Sequence, residues 1–251
     1  MLLPDAPAGR LLLDHEPQRP GADEVDTALR LWVCVLAAYP RAFDLVLGDG
    51  LYAEAPCFNF LLAHHKHALV VLKDARRNLY QDVAGLFDQV RPQPGRYRSR
   101  ACRWWDFPDL GSWPQVQGPV RVIRSLETAS VRRQLDQQAE PQSSDWIWAT
   151  TLPRPQVPTE RVVRFGHQRW DLENYGFNEL VHEWHADHLF THDPNAIECL
   201  LLVAFPAYNL FHAFFALNLK PAVRRGTTQL FWARLMTAEL HQEVTPHTRP
   251  P

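Results

Sequence analysis

Gly166-His-Gln-Arg-Trp-Asp-Leu-Glu-Asn-Tyr-Gly-Phe-Asn-Glu-Leu180 is the stretch from which the rest of the chain is read; it leads through Val181 into the histidine-rich run His182 to His192. Arg169 and Glu173 lie four residues apart. On a helix that spacing puts cation and acid on one face. Trp170, Leu172, Phe177, Leu180, Trp184 and Leu189 flank the pair, so the helix is expected to pack on a core. A carboxylate in such a setting is half of an ion pair or part of a metal site. Which of the two it is depends on a second acid reaching it from elsewhere in the chain.

Working outward, 251 residues suffice for one large core or two small ones. With 46% hydrophobic and 22% charged residues the composition is that of a globular protein. The longest apolar run, Ala196 to Leu219, is interrupted by Glu198, Pro206, Asn209 and His212, so no membrane span is expected. Met1-Leu-Leu-Pro4 lacks the charged start and apolar stretch of a signal peptide. Cys34, Cys57, Cys102 and Cys199 stand singly, as buried small hydrophobes do in a reducing cytoplasm, and a cytoplasmic location is expected. The net charge of −2 offers no global basic field. A local block does stand out, with Lys66, Lys73, Arg76, Arg77, Arg91, Arg96, Arg98, Arg100 and Arg103 against Asp74, Asp82 and Asp88. It reads as a solvated face or as a phosphate-contacting surface.

The first 90 residues alternate in period. Residues 9–14 read as a strand, 22–38 as a helix with acids crowded at its N-terminus, and 43–49 as a buried strand stopped by Gly50. Residues 54–65 read as a helix, 67–73 as a strand and 76–87 as a helix. This order argues for an α/β layer with a partly parallel sheet, and Asp49 falls at the carboxyl end of a strand, where catalytic groups of such sheets sit. From residue 92 to 158, prolines and aromatics punctuate β-like pieces at 96–107, 119–127 and 145–152, with a polar linker from Asp136 to Ser144. Residues 159–244 are expected to be mostly helical, and 245–251 a disordered tail.

Asp49-Gly50 reads by itself as a turn, and Glu173 by itself as one half of an ion pair with Arg169. Together they suggest carboxylates from different elements converging on a hard divalent cation, which takes oxygen ligands. Asp49-Gly-Leu-Tyr52, Val71-Leu-Lys73 and the run from Asn78 to Phe87 resemble the second-aspartate region of DDE transposases from bacterial insertion sequences. Arg169-Trp-Asp-Leu-Glu173, with Asn174 and Phe177, resembles the third-acid signature of that family, and His192-Asp-Pro-Asn-Ala-Ile197 is similar to its later pattern. The separation of 173 − 49 = 124 residues suits the subgroup with a β-strand insertion between the two acids. The resemblance implies an RNase H-like α/β fold: residues 1–91 a partial α/β half, 92–158 the β-rich insertion, and 159–244 the helical C-terminal half of the catalytic domain. It implies DNA strand cleavage and transfer with Mg²⁺ or Mn²⁺, double-stranded DNA as partner, Asp49 and Glu173 as catalytic metal ligands, and Arg169, Lys73 and Asn174 as DNA-binding or orienting residues.

Two departures accompany the resemblance. The signature carries a tyrosine three residues before its arginine and a lysine seven after its glutamate; here those positions are Gly166 and Leu180. The family's first aspartate belongs to an opening strand, with two more strands and a helix ahead of the second acid. Only one strand and one helix are read before Asp49, and Asp14 ends what would be the third strand. The opening strands and the first acid are therefore expected to be missing, and this chain alone to be inactive or nearly so. A non-catalytic DNA-binding or interaction protein on the same fold is the alternative. His182, His185, His188 and His192 share one helix face if the helix continues, which would make a zinc site a third reading. Trp104, Trp105, Trp113, Trp146 and Trp148 beside the arginines could stack unpaired bases or fill a β core. The apolar segment Phe205 to Phe215 reads as core or as a homodimer surface.

Overall fold

The computed structural model describes residues 1–6, 9–73, 77–132, 139–188 and 191–244. The tail expected at 245–251 lies outside the described residues. The chain divides into two compact units, His15–Trp170 and Met1–Asp14 together with Asp171–Pro251.

In the first unit, helix α1 (Glu24–Ala38) begins at Asp23, whose carboxylate accepts from the Asp26 backbone N–H. Glu24 and Asp26 sit in its first turn, where the dipole favours acids. Strand β3 (Leu45–Gly48) runs parallel to β4 (His67–Val71), joined through a 3₁₀ turn (Gly50–Tyr52) and helix α2 (Ala55–Ala63). Helix α3 (Asn78–Phe87) follows and buries Leu79, Val83 and Phe87. The β-rich run supplies β5 (Gln93–Tyr97), β6 (Arg100–Leu110), β7 (Val120–Arg132) and β8 (Ala139–Thr150), and all four join one six-stranded sheet in the order β3-β4-β8-β7-β6-β5. Only the β3–β4 pair is parallel. Side-chain alternation splits the sheet's two faces. Leu69, Val71, Trp104, Ile123 and Trp148 form a core with Val162 and Val163 of helix α4 (Thr159–Asp171). Val70 and Val122 point the other way and are just as buried.

The polar linker expected from Asp136 to Ser144 is corrected in its second half, since residues 139–144 are strand, paired from Arg132↔Ala139 to Glu127↔Ser144. These residues are polar because the hairpin runs on past the core, so backbone pairing holds them without an apolar alternation.

In the second unit, β2 (Gly9–Leu12) pairs antiparallel with β1 (Leu2–Ala6), a strand whose Pro4 and lack of alternation hide it in the sequence. The expected first strand is thus present, in a two-stranded ladder separate from the six-stranded sheet. Helix α5 (Asn178–His182) is short, and α6 (Pro194–Asn218) is one 25-residue helix passing through Pro206. By length and composition α6 could cross a membrane, with a mean hydropathy of 1.8 over its most apolar stretch, which the sequence reading did not expect because it took Glu198, Pro206, Asn209 and His212 as interruptions. A proline inside a helix removes one backbone bond and bends it without having to end it. Asn209 clamps β2, donating its side-chain amide to Leu12 O (2.8 Å) and accepting from Leu12 N (2.7 Å). Helices α7 (Pro221–Gly226) and α8 (Gln229–Val244) complete the unit.

The start of α4 is fixed by an ion pair buried at both ends. Arg121 donates to Asp106 Oδ1 at 2.8 Å and Oδ2 at 2.7 Å, and also to the carbonyls of Leu152 and Val157; both partners are 3% exposed. Thr159 Oγ1, on the first residue of α4, donates to Asp106 Oδ2 at 2.6 Å. Burial alone would raise the Asp106 carboxyl, but the Arg121 and Thr159 hydrogen bonds and the Arg121 and Arg154 charges outweigh it and hold it below its usual range. Arg121→Met should therefore cost about 3–5 kcal/mol at neutral pH, because it leaves a buried carboxylate uncompensated. A depressed folded pKa gives stability that is present above the unfolded value and lost as pH falls through the folded one. The wild-type's advantage should thus narrow below about pH 4. Urea unfolding at several pH values reads both effects; an equal deficit at all pH values would contradict this account.

Candidate active site

Asp49 follows directly on β3 and caps the 3₁₀ turn, its Oδ1 accepting from Leu51 N at 2.9 Å. No hydrogen bond to its other oxygen is found among the described residues. The parallel register Gly48↔Val70 brings the end of β3 beside the end of β4. Gly50 is pressed against that end: a Cβ there would meet Val71 O at 3.3 Å and Lys73 Cβ at 3.8 Å. Asp49 and the exposed Lys73 therefore share one sheet end, as the sequence expected of a strand-end acid.

Two residues at this end of the sheet carry no role in the sequence reading. Tyr52 donates its hydroxyl to Glu24 Oε1 at 3.3 Å, and burial, together with Glu24 and Asp49, pushes its phenol up to about 12. The signal for Tyr52 is its three-residue offset from Asp49 across one helical turn; for Glu24 it is the acid cluster at the start of α1. Nearby, Arg77 ties the starts of α2 and α3 together, bonding Glu54 at 2.8 Å and the Ala53 carbonyl.

Arg169 stands near the end of α4 with its guanidinium 4.2 Å from the Trp170 ring centroid. That helix is seated by two contacts. At Gly166, a Cβ would lie 2.4 Å from Trp148 Cε2, so only glycine allows the approach. One residue on, His167 Nε2 meets Glu127 Oε1 at 2.6 Å, and its ring stacks on Tyr97 at 4.2 Å. Glu127 is fully buried, accepts from Ser125 Oγ at 3.1 Å and has Arg100 Nη1 at 3.5 Å.

Glu173 and Asn174 lie in a π-helical turn, Leu172–Phe177, with Glu173 half-buried and Asn174 exposed. Such turns are rare and recur at functional sites. They belong to the second unit, whereas Asp49, Lys73 and Arg169 belong to the first. Asn174 also lines a groove of about 1190 Å³ in the second unit, with Glu179, Phe211, Leu230 and Met236. Glu179 accepts from Tyr208 and pairs with His212 Nε2 at 2.9 Å.

The histidine face is corrected. Helix α5 ends at His182, His185 takes φ 51° in the left-handed region, and His188 and His192 follow outside any helix. Residues cannot share a helix face where the helix has stopped. No group of three or more His, Cys, Asp or Glu side chains placed to hold a metal ion occurs among the described residues. The base-stacking reading of the tryptophans is corrected too: Trp104, Trp105 and Trp148 are core residues at 8%, 8% and 1% exposure. Trp113 packs on Phe58. The arginines beside them, Arg91, Arg96, Arg98 and Arg103, are exposed.

The model of one protein family, described as the transposase DDE domain, matches residues 22–210. No curated protein matches the chain.

Tyr52 offers a spectroscopic handle on the Asp49 end of the sheet. A raised folded pKa gives stability that is present below the unfolded value near 10 and lost as pH rises through the folded one. In an ultraviolet titration a late tyrosine step near pH 12 should be present, and Tyr52→Phe should shrink it by the signal of one tyrosine. A Tyr52→Phe curve with an undiminished late step would contradict the assignment.

Proposed function

The chain belongs to that family, the DDE transposases, whose work is DNA transposition, and from this premise we propose that Asp49 and Glu173 are the acids that hold its divalent metal. The observation that carries the reading is Asp49 itself, a half-exposed carboxylate at the carboxyl end of the parallel strand pair. One oxygen is steadied by the Leu51 N–H, which leaves the other to coordinate. Hard oxygen donors suit Mg²⁺ or Mn²⁺, which are content with a few carboxylates and several waters. Bound there, such ions supply the Lewis acidity for cutting and rejoining phosphodiester bonds at transposon ends. The π-helical setting of Glu173 supports its role as the partner acid.

The cations then act on the DNA backbone. Lys73 beside Asp49 meets phosphate as a point charge, while Arg169, over the Trp170 ring, offers a planar fork to phosphate or to Glu173. Asn174 contacts or orients DNA from the same turn as Glu173. Exposed Arg96 on β5, Arg98 in the turn after it and Arg103 on β6 extend the surface along a duplex, because aligned cations release counterions from it. The working assembly we propose is double-stranded DNA with a pair of these chains in the cytoplasm.

Binding of Mn²⁺, followed by electron paramagnetic resonance, tests the metal assignment. Asp49→Asn and Glu173→Gln should each weaken it by at least about tenfold, the scale of losing one charged ligand (roughly 1.4 kcal/mol). Arg103→Ala should weaken duplex binding and leave Mn²⁺ binding as it was. Mn²⁺ binding that is indifferent to both acid variants overturns the assignment. Duplex binding without any Mn²⁺ binding would instead favour a non-catalytic DNA-binding protein on this fold.

A further inference from the structure

The last turns of α4 are tied to the sheet by one residue that four others grip. His167 stacks on Tyr97 of β5, ring centroids 4.2 Å apart and planes 12° apart. It meets Trp146 and Trp148 of β8 edge-on, each at 5.5 Å. Its Nε2 stands 2.6 Å from Glu127 Oε1 on β7, and since a carboxylate only accepts, the Nε2–H donates. Glu127 is 0% exposed, and its remaining contacts are Ser125 Oγ at 3.1 Å and Arg100 Nη1 at 3.5 Å.

A buried carboxylate is a costly way to fasten a helix. Val162, Val163 and the approach at Gly166 already press α4 onto the sheet. Apolar packing sets the depth of a helix but specifies its rotation less sharply, whereas a charge-assisted hydrogen bond has a direction. This one stands two residues before Arg169, in the part of α4 where rotation would move that side chain most. From His167 the contacts continue to it: Trp146 meets Trp170 edge-on at 6.0 Å, and the Arg169 guanidinium carbon lies 4.2 Å from the Trp170 ring centroid. Glu127, His167, Trp146, Trp170 and Arg169 all belong to the first compact unit.

We propose that Glu127 and His167 are positioning residues for Arg169, fixing the turn of α4 so that its guanidinium meets a DNA phosphate fork-on. The proposal rests on the reading of Arg169 as a phosphate contact. A planar fork depends on orientation as a point charge does not, so it gains most from a rigid mount.

Duplex binding by the full chain at a series of salt concentrations tests this, with a short mixed-sequence DNA as the probe. His167→Phe keeps a ring to stack on Tyr97 and loses the donor to Glu127. It should lower the slope of log affinity against log salt by about 0.9, the share of one phosphate contact, and Arg169→Ala should do the same. The double variant should lose no more than Arg169→Ala alone, because His167 acts through Arg169. His167→Gln, which keeps a donor nitrogen near the place of Nε2, should recover most of the wild-type slope. A role in stability alone would move the unfolding midpoint and leave the slope as it was. If the charge left on Glu127 prevents His167→Phe from folding, Glu127→Gln together with His167→Phe removes that charge and carries the same expectation. A wild-type slope in the His167 variant, with a lowered one in Arg169→Ala, overturns the positioning role and leaves the phosphate contact standing. Losses that add in the double variant overturn it as well. A wild-type slope in Arg169→Ala overturns the phosphate contact and the proposal with it.

Discussion

The helix that carries Arg169 comes down onto the sheet only because residue 166 has no side chain. A Cβ at Gly166 would sit inside the Trp148 ring, 2.4 Å from Cε2, closer than any real contact. Trp148 is itself 1% exposed in the middle of the six-stranded sheet and cannot give way. Around this approach the rest is fixed: Val162 and Val163 pack one turn earlier, His167 finds the buried Glu127 one residue later, and Trp170 meets Trp146 edge-on at 6.0 Å. Interiors this dense transmit small changes, so a methyl group at position 166 would be felt at Arg169.

Packing accounts for the two departures from the family's signature, each in its own core. The position where that signature carries tyrosine is the one residue of α4 that must be glycine against Trp148. The position where it carries lysine is Leu180, 7% exposed in the small core with Leu12 and Tyr208. Both positions serve packing, so neither side chain is available to touch DNA. The exposed arginines of β5 and β6 offer cationic surface on a different element.

The parts of the fold that rest on burial were legible from the sequence. Helices α1, α2 and α3 each bury one side, and β3 and β4 are short apolar runs, β4 buried on both faces; Asp49 could be placed at a strand end because Gly50 stops the apolar run before it. What lacked a hydrophobic period was missed. Residues 139–144 are polar because their hairpin extends past the core, and β1 pairs with β2 in a ladder that no alternation in its sequence marks. The histidines at 182–192 suggest a helix face, but the chain leaves the helix after His182 and turns through a left-handed residue at His185. The π-helical turn around Glu173 has no sequence signature that a 3.6-residue pattern would reveal. The contact of Tyr52 with Glu24 could not be foreseen because it depends on how α1 lies against the 3₁₀ turn.

The proposal that Asp49 and Glu173 each act as a metal ligand is the one on which the functional reading rests. The most direct test is to load the site with Fe²⁺ and generate hydroxyl radicals with ascorbate and peroxide, so that the backbone is cut close to the bound ion. Fragments ending near residue 49 and near residue 173, both suppressed by excess Mg²⁺, are what the account predicts. Cutting confined to one of the two segments, or unaffected by Mg²⁺, would contradict it.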